Sequence, residues 1–142
     1  MRSVLFVAVL VMLAGFAPAR ADVVIEASPG GEASSFLGFF AAVRSSGERV
    51  VIDGPCFSAC TLALSVLPHS RICVTPRAIL GFHAARAVDV FGKARWDPEA
   101  TRVVAETYPA QVRRWIRRHG GLTKRPIFLY GPQLARIYPR CG

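Results

Sequence analysis

The sequence predicts a single α/β domain, a small, mostly parallel sheet flanked by helices, preceded by a signal peptide. Three observations carry this. The chain of 142 residues has the length of one domain. Apolar runs of strand length alternate with stretches whose apolar residues recur at helical spacing. The first 21 residues carry the parts of an export signal.

Taken in order, Arg2 supplies a positive start, residues 4–16 an apolar segment and Ala19-Arg20-Ala21 a small-x-small cleavage site. The apolar segment is too short to span a bilayer comfortably, so 1–21 reads as a cleaved secretory signal. The domain then occupies residues 22–142, a mature chain of 121 residues, enough for one modest core. Residues 23–27 read as a strand, Ser28-Pro29-Gly30-Gly31 as a tight turn, and 34–44 as a helix with Phe36, Phe39, Phe40 and Val43 on one face. A buried strand at 50–53 ends where Gly54-Pro55 breaks it, and 59–67 is helix-compatible. Strands follow at 71–75 and 78–82, the latter running into His83. Residues 89–97 form a polar loop, Asp97 caps a helix that opens on Pro98 and Glu99, and Pro109 ends it. A second helix at 110–119 closes on Gly120-Gly121, followed by an edge strand at 127–130 and a short helix at 133–137.

Export decides how the cysteines are read. Cys56, Cys60, Cys73 and Cys141 all lie in the mature part, and an even number outside the cytosol points to disulfides. The spacing does not select a pairing; the reading leans to Cys73 with Cys60 or Cys56, leaving the other for Cys141. A C-x3-C pair with no second close pair and no nearby histidine fits zinc poorly, so no metal and no cofactor are expected. Without the leader, 16 lysines and arginines face 9 acidic residues, a net charge of about +7 concentrated between Arg113 and Arg140. Val112, Trp115 and Ile116 share one helical face while Arg113, Arg114, Arg117 and Arg118 fill the rest, as in a docked helix with a solvated outer side. An anionic envelope surface is the partner such a face would meet; nucleic acid is not expected in this compartment.

The candidate site is the strand–turn–helix corner at Ser58. Such a corner leaves the backbone N–H groups of the first helical turn unpaired beside the side chain, and the helix dipole adds to them. Those donors suit an oxyanion, and His83, at the end of a neighbouring strand, suits a general base. Serine at its ordinary acidity is a poor nucleophile and needs an imidazole within reach to take its proton. His69 and His119 read as structural or solvated, and Lys93, in the polar loop, as a solvated lysine rather than a base.

Ser28-Pro29-Gly30-Gly31, then Gly54-x-x-x-Ser58-Ala59, then Pro76 seven residues ahead of His83, resemble the ClpP/crotonase-like superfamily, in particular a periplasmic relative of the Clp protease proteolytic subunit. The interval of 25 residues from Ser58 to His83 matches as well. The likeness covers residues 23–85 and thins out beyond. It implies Ser58 as nucleophile, His83 as base, and the backbone N–H groups of Gly30 or Gly31 and of Ala59 as oxyanion donors. It also implies a peptide or protein substrate, and leaves oligomerisation open.

The chain departs from that pattern at the third triad member. The family carries an aspartate near a Phe-Leu step in its last third; Phe128-Leu129 is present here, but no acidic residue follows Glu106. Either Asp89, Asp97, Glu99 or Glu106 reaches back to His83, or Thr123 or a backbone carbonyl holds the ring and the site is a Ser–His dyad. The expectation is a secreted, periplasmic, peptidase-like serine hydrolase. The alternative is a non-catalytic envelope protein that uses the fold to bind peptides or an acidic partner. A crotonase-type acyl-CoA enzyme ranks third, since acyl-CoA is scarce outside the cytosol.

Overall fold

The computed structural model describes residues 21–142, so the signal-peptide reading of the leader lies outside the described residues. The chain is mixed α/β, with small sheets in place of one continuous sheet. Strands β1 (Asp22–Ile25), β2 (Arg49–Ile52) and β4 (Ile72–Val74) form a parallel sheet in the order β1-β2-β4. Strands β3 (Pro55–Phe57), β5 (Ile79–Phe82) and β8 (Ile127–Tyr130) form a second, with β3 parallel and β8 antiparallel to β5. β6 (Arg86–Val88) and β7 (Ala94–Trp96) make a hairpin where the sequence suggested a polar loop.

The two larger sheets share their strands around a bend. β2 turns at Asp53-Gly54 and continues as β3, and β4 continues as β5 after a turn closed by Ala78 N–H to the Thr75 carbonyl. Beyond β1, Ser28 bridges to Cys56, with Ser28 N–H to the Pro55 carbonyl at 2.7 Å and Phe57 N–H to the Ser28 carbonyl at 2.9 Å. Each parallel strand thus runs in the first sheet and then in, or against, the second. The sequence reading missed β3 because Gly54-Pro55 looks like a strand end. Proline is tolerated as the first residue of a strand, and Pro55 takes that place. Gly54 is required at the bend, because a Cβ there would overlap the Glu26 carbonyl oxygen.

Helix α1 (Ala33–Ser46) packs against residues 58–66 and buries Phe40 and Val43, with Phe36 half-buried. Phe39, expected on the same face, is 49% exposed, with its ring T-shaped to that of Phe40. The segment expected to be one helix is a 3-10 turn, Ser58–Leu62, followed by a short α2 (Ala63–Val66). α3 (Pro98–Thr107) starts as expected, the Asp97 carboxylate accepting from Ala100 N–H at 3.0 Å. α4 (Ala110–Arg118) buries Val112, Trp115 and Ile116 and leaves Arg114, Arg117 and Arg118 exposed, as its apolar spacing predicts. The last helix, α5 (Gly131–Ala135), begins two residues earlier than expected, with Pro132 near its start. Among the described residues, no helix is long and apolar enough to cross a membrane.

All four cysteines are bridged, in a pairing other than the one favoured from sequence: Cys56–Cys60 and Cys73–Cys141. Cys56 and Cys60 stand on either side of the Ser58 corner, their Cα atoms 5.3 Å apart. Cys73 lies within β4, beside Val74, whose N–H and carbonyl bond the tail at Pro139 and Cys141; this register delivers Cys141 to Cys73.

Candidate active site

β3 and β5 run side by side with Phe57 opposite Gly81, so their carboxyl ends deliver Ser58 and, two residues past Gly81, His83 to one edge of the sheet. Gly81 permits this closeness, since a Cβ there would sit 2.6 Å from the Phe57 ring. Ser58 and His83 line the same cleft, of about 550 Å³, with Gly30, Gly31 and Ala59 on its wall. The structure therefore gathers in one cavity the five site residues singled out from the sequence.

Ser58 has φ of +54°, the only non-glycine residue with positive φ among those described. An L-residue is disfavoured there, and such strain persists only where the surroundings over-determine it. Three devices do so. The Cys56–Cys60 disulfide closes the corner from the chain itself. Gly30, with φ of +87°, packs so tightly on it that a Cβ would lie 2.5 Å from the Phe57 carbonyl oxygen and 2.6 Å from Ser58 Cβ. Thr61 Oγ donates to the Ser58 carbonyl at 2.6 Å and is itself 2.6 Å from the Tyr108 hydroxyl.

The same contact brings the donors together. The Ala59 nitrogen would be 3.1 Å from a Cβ on Gly30, so the Gly30 turn and the first amide after Ser58 are adjacent. Gly30 N–H is turned onto the Ser28 hydroxyl at 3.3 Å. Gly31 N–H makes no hydrogen bond among the described residues, which distinguishes the two glycines that sequence left equivalent. The dipole expected from a helix at Ala59 is small, because only a five-residue 3-10 turn starts there.

His83 is half-buried, its Nδ1 2.6 Å from the Ala84 carbonyl. A carbonyl only accepts, so Nδ1 carries the hydrogen and Nε2 is left with its lone pair in the neutral ring. Ala84 is fixed in turn by its N–H to the Thr123 carbonyl at 2.8 Å, and the edge of Trp96 meets the His83 ring at 6.0 Å. None of the four candidate carboxylates reaches His83. Asp89 holds the hairpin turn through Lys93 N–H, Arg95 and Phe91 N–H, which keep its carboxyl below the usual range. Asp97 caps α3, and Glu99 and Glu106 pair with Arg102. Lys93 lies on that hairpin turn, off the cleft. No hydrogen bond joins Ser58 to His83 here; in unliganded sites such bonds are often long and tighten on binding. Among the described residues, no three histidine, cysteine or acidic side chains gather as a metal site would require.

Thr61 and Tyr108 escaped the sequence reading because they are 47 residues apart and neither type signals a site alone. Tyr108 closes α3 and packs edge-on to Phe82 at 5.3 Å. Burial pushes its hydroxyl up to about 12, opposed by the bond to Thr61. The folded phenol keeps its proton where the unfolded chain, at 10.0, has lost it. In that window the unfolded state binds fewer protons, so stability falls as pH rises. The loss is on the order of 3 kcal/mol between about pH 10 and about pH 12, and none is expected below. Thermal melts across this range should show the loss, and Tyr108→Phe should remove the Tyr108 share of it, leaving a comparable share from Tyr138, which burial also raises.

No protein-family model matches the chain, and no curated protein matches it in sequence.

Proposed function

We propose that the protein is a secreted serine hydrolase, peptidase-like, on a ClpP/crotonase-like domain, with Ser58 as nucleophile and His83 as base. The observation that carries this reading is the strained Ser58 corner: a positive-φ serine at a strand end, facing the same cleft as a histidine whose Nε2 is free. Strain of this kind gathers at functional positions, and a plain helix cap does not need it. His83 Nε2 takes the proton as Ser58 Oγ attacks the acyl carbon, and the oxyanion forms against the N–H groups of Ala59 and Gly31. Nε2 then gives that proton to the leaving group, and water enters by the same route to release the acid. The Ala84 carbonyl holds the ring in the tautomer this requires, in place of the family's carboxylate.

One observation favours a second reading, a non-catalytic envelope protein binding a peptide or an acidic partner. Ser58 and His83 are not hydrogen-bonded to one another, and a neutral carbonyl supports a cationic ring less well than a carboxylate. In either case the disulfides fit export to the periplasm, and the exposed arginines of α4 would face an anionic envelope surface.

A fluorophosphonate probe separates the two. The hydrolase forms a covalent adduct on Ser58, identified by mass of the modified peptide and absent in Ser58→Ala. Folded, disulfide-intact protein that takes no label supports the binding protein instead.

A further inference from the structure

We propose that Thr61 and Tyr108 are positioning residues that aim the Ala59 N–H into the cleft by holding the opposite edge of the same peptide plane. This rests on the hydrolase reading for its catalytic consequence, but not for its geometry. The peptide bond between Ser58 and Ala59 is planar and trans, so its carbonyl and its N–H point in opposite directions. Whatever fixes the Ser58 oxygen also fixes the Ala59 hydrogen.

Thr61 Oγ, fully buried, donates to that oxygen at 2.6 Å. A hydroxyl has one hydrogen, and Thr61 spends it there, so the 2.6 Å contact to Tyr108 runs from the phenol O–H to Thr61 Oγ. Tyr108 is 4% exposed and anchored at the end of α3 against Phe82. The result is a directed chain, Tyr108 O–H to Thr61 O–H to the Ser58 carbonyl. Each bond strengthens the next by polarisation. A threonine bonding back to its own turn is ordinary by itself. Two features set this one apart: the carbonyl belongs to the only strained non-glycine residue described, and a second buried hydroxyl from a distant helix orients the threonine.

An oxyanion donor contributes only if it already points where the charge will develop, and loss of one costs about 10²- to 10³-fold in turnover. A donor that is present but turned away costs less. Thr61→Val, which keeps the shape and removes the hydroxyl, is expected to lower kcat about 10- to 100-fold at nearly constant KM. Thr61→Ser is expected to recover most of it. Tyr108→Phe, leaving Thr61 bonded to Ser58, is expected to cost less than Thr61→Val.

The decisive variant is the pair Thr61→Val with Tyr108→Phe. Thr61→Val alone strands the buried Tyr108 hydroxyl and should lower the melting temperature. Removing both hydroxyls should restore the melting temperature but not kcat, since the Ser58 carbonyl still lacks the Thr61 hydroxyl. Turnover that returns with stability would overturn the proposal. The geometric part is read without activity: in the ¹⁵N-labelled protein, Thr61→Val should shift the Ala59 amide resonance while leaving that of Gly142 in place. An unmoved Ala59 amide also overturns it. A shifted Ala59 amide in a protein that no fluorophosphonate labels would keep the brace and discard the hydrolase.

Discussion

Ser58→Ala and His83→Ala are each expected to lower ester or peptide hydrolysis by about 10⁴-fold or more, and the double variant to be no slower than the worse single one. Nucleophile and base act as a unit. With the hydroxyl gone, the imidazole has no proton to accept; with the imidazole gone, the hydroxyl stays protonated. Their losses therefore overlap instead of adding, and the residue of activity reflects the backbone donors and binding alone. The check is kcat/KM for wild type, both single variants and the double, on protein whose disulfides are intact. If the two losses multiply, or if His83→Ala labels with fluorophosphonate as fast as wild type, His83 is not the base. On the proposed hydrolase reading, a neutral Ala84 carbonyl in place of a carboxylate beside the ring should make wild-type turnover slow.

The two disulfides are expected to fail in different ways. Cys73–Cys141 closes a sequence separation of 68, for which loop entropy gives about 4 kcal/mol, against about 2 kcal/mol for the separation of 4 at Cys56–Cys60. Replacing Cys73 and Cys141 with alanine should lower the melting temperature by roughly 10–20 °C and leave turnover of the folded fraction nearly intact. Replacing Cys56 and Cys60 should lower the melting temperature by less and turnover by more, since that bridge closes the segment that carries Ser58. Melting curves paired with activity below the transition test this. Equal activity losses in the two variants would show that the short bridge does nothing particular for the site.

What the sequence made legible follows local physics. The apolar runs at β2, β4 and β5 and the spacing of Val112, Trp115 and Ile116 announce burial directly, and Asp97 before Pro98 announces a helix start. Ser58, His83, Gly30, Gly31 and Ala59 were legible as a set, and the structure lines one cleft with all of them. What was illegible depends on partners distant in the chain. The disulfide pairing follows from which strands adjoin, which four cysteine positions do not encode. The β6–β7 hairpin has three-residue strands that bury little, so neither alternation nor apolar content marks it. The split into two sheets hangs on the Gly54 bend, which in sequence looks like an ordinary terminator. Tyr108 reads as one more apolar residue at the end of a helix until Thr61 is found across from it.

The bond from Cys73 to Cys141 closes residues 73–141, about half of the chain, into a covalent ring. A protease that clips the exposed turn at Val90-Phe91 would open this ring without releasing either piece, so the nicked molecule keeps its mass and travels as one band until a thiol is added. That is tolerance to a cut at the place most open to one.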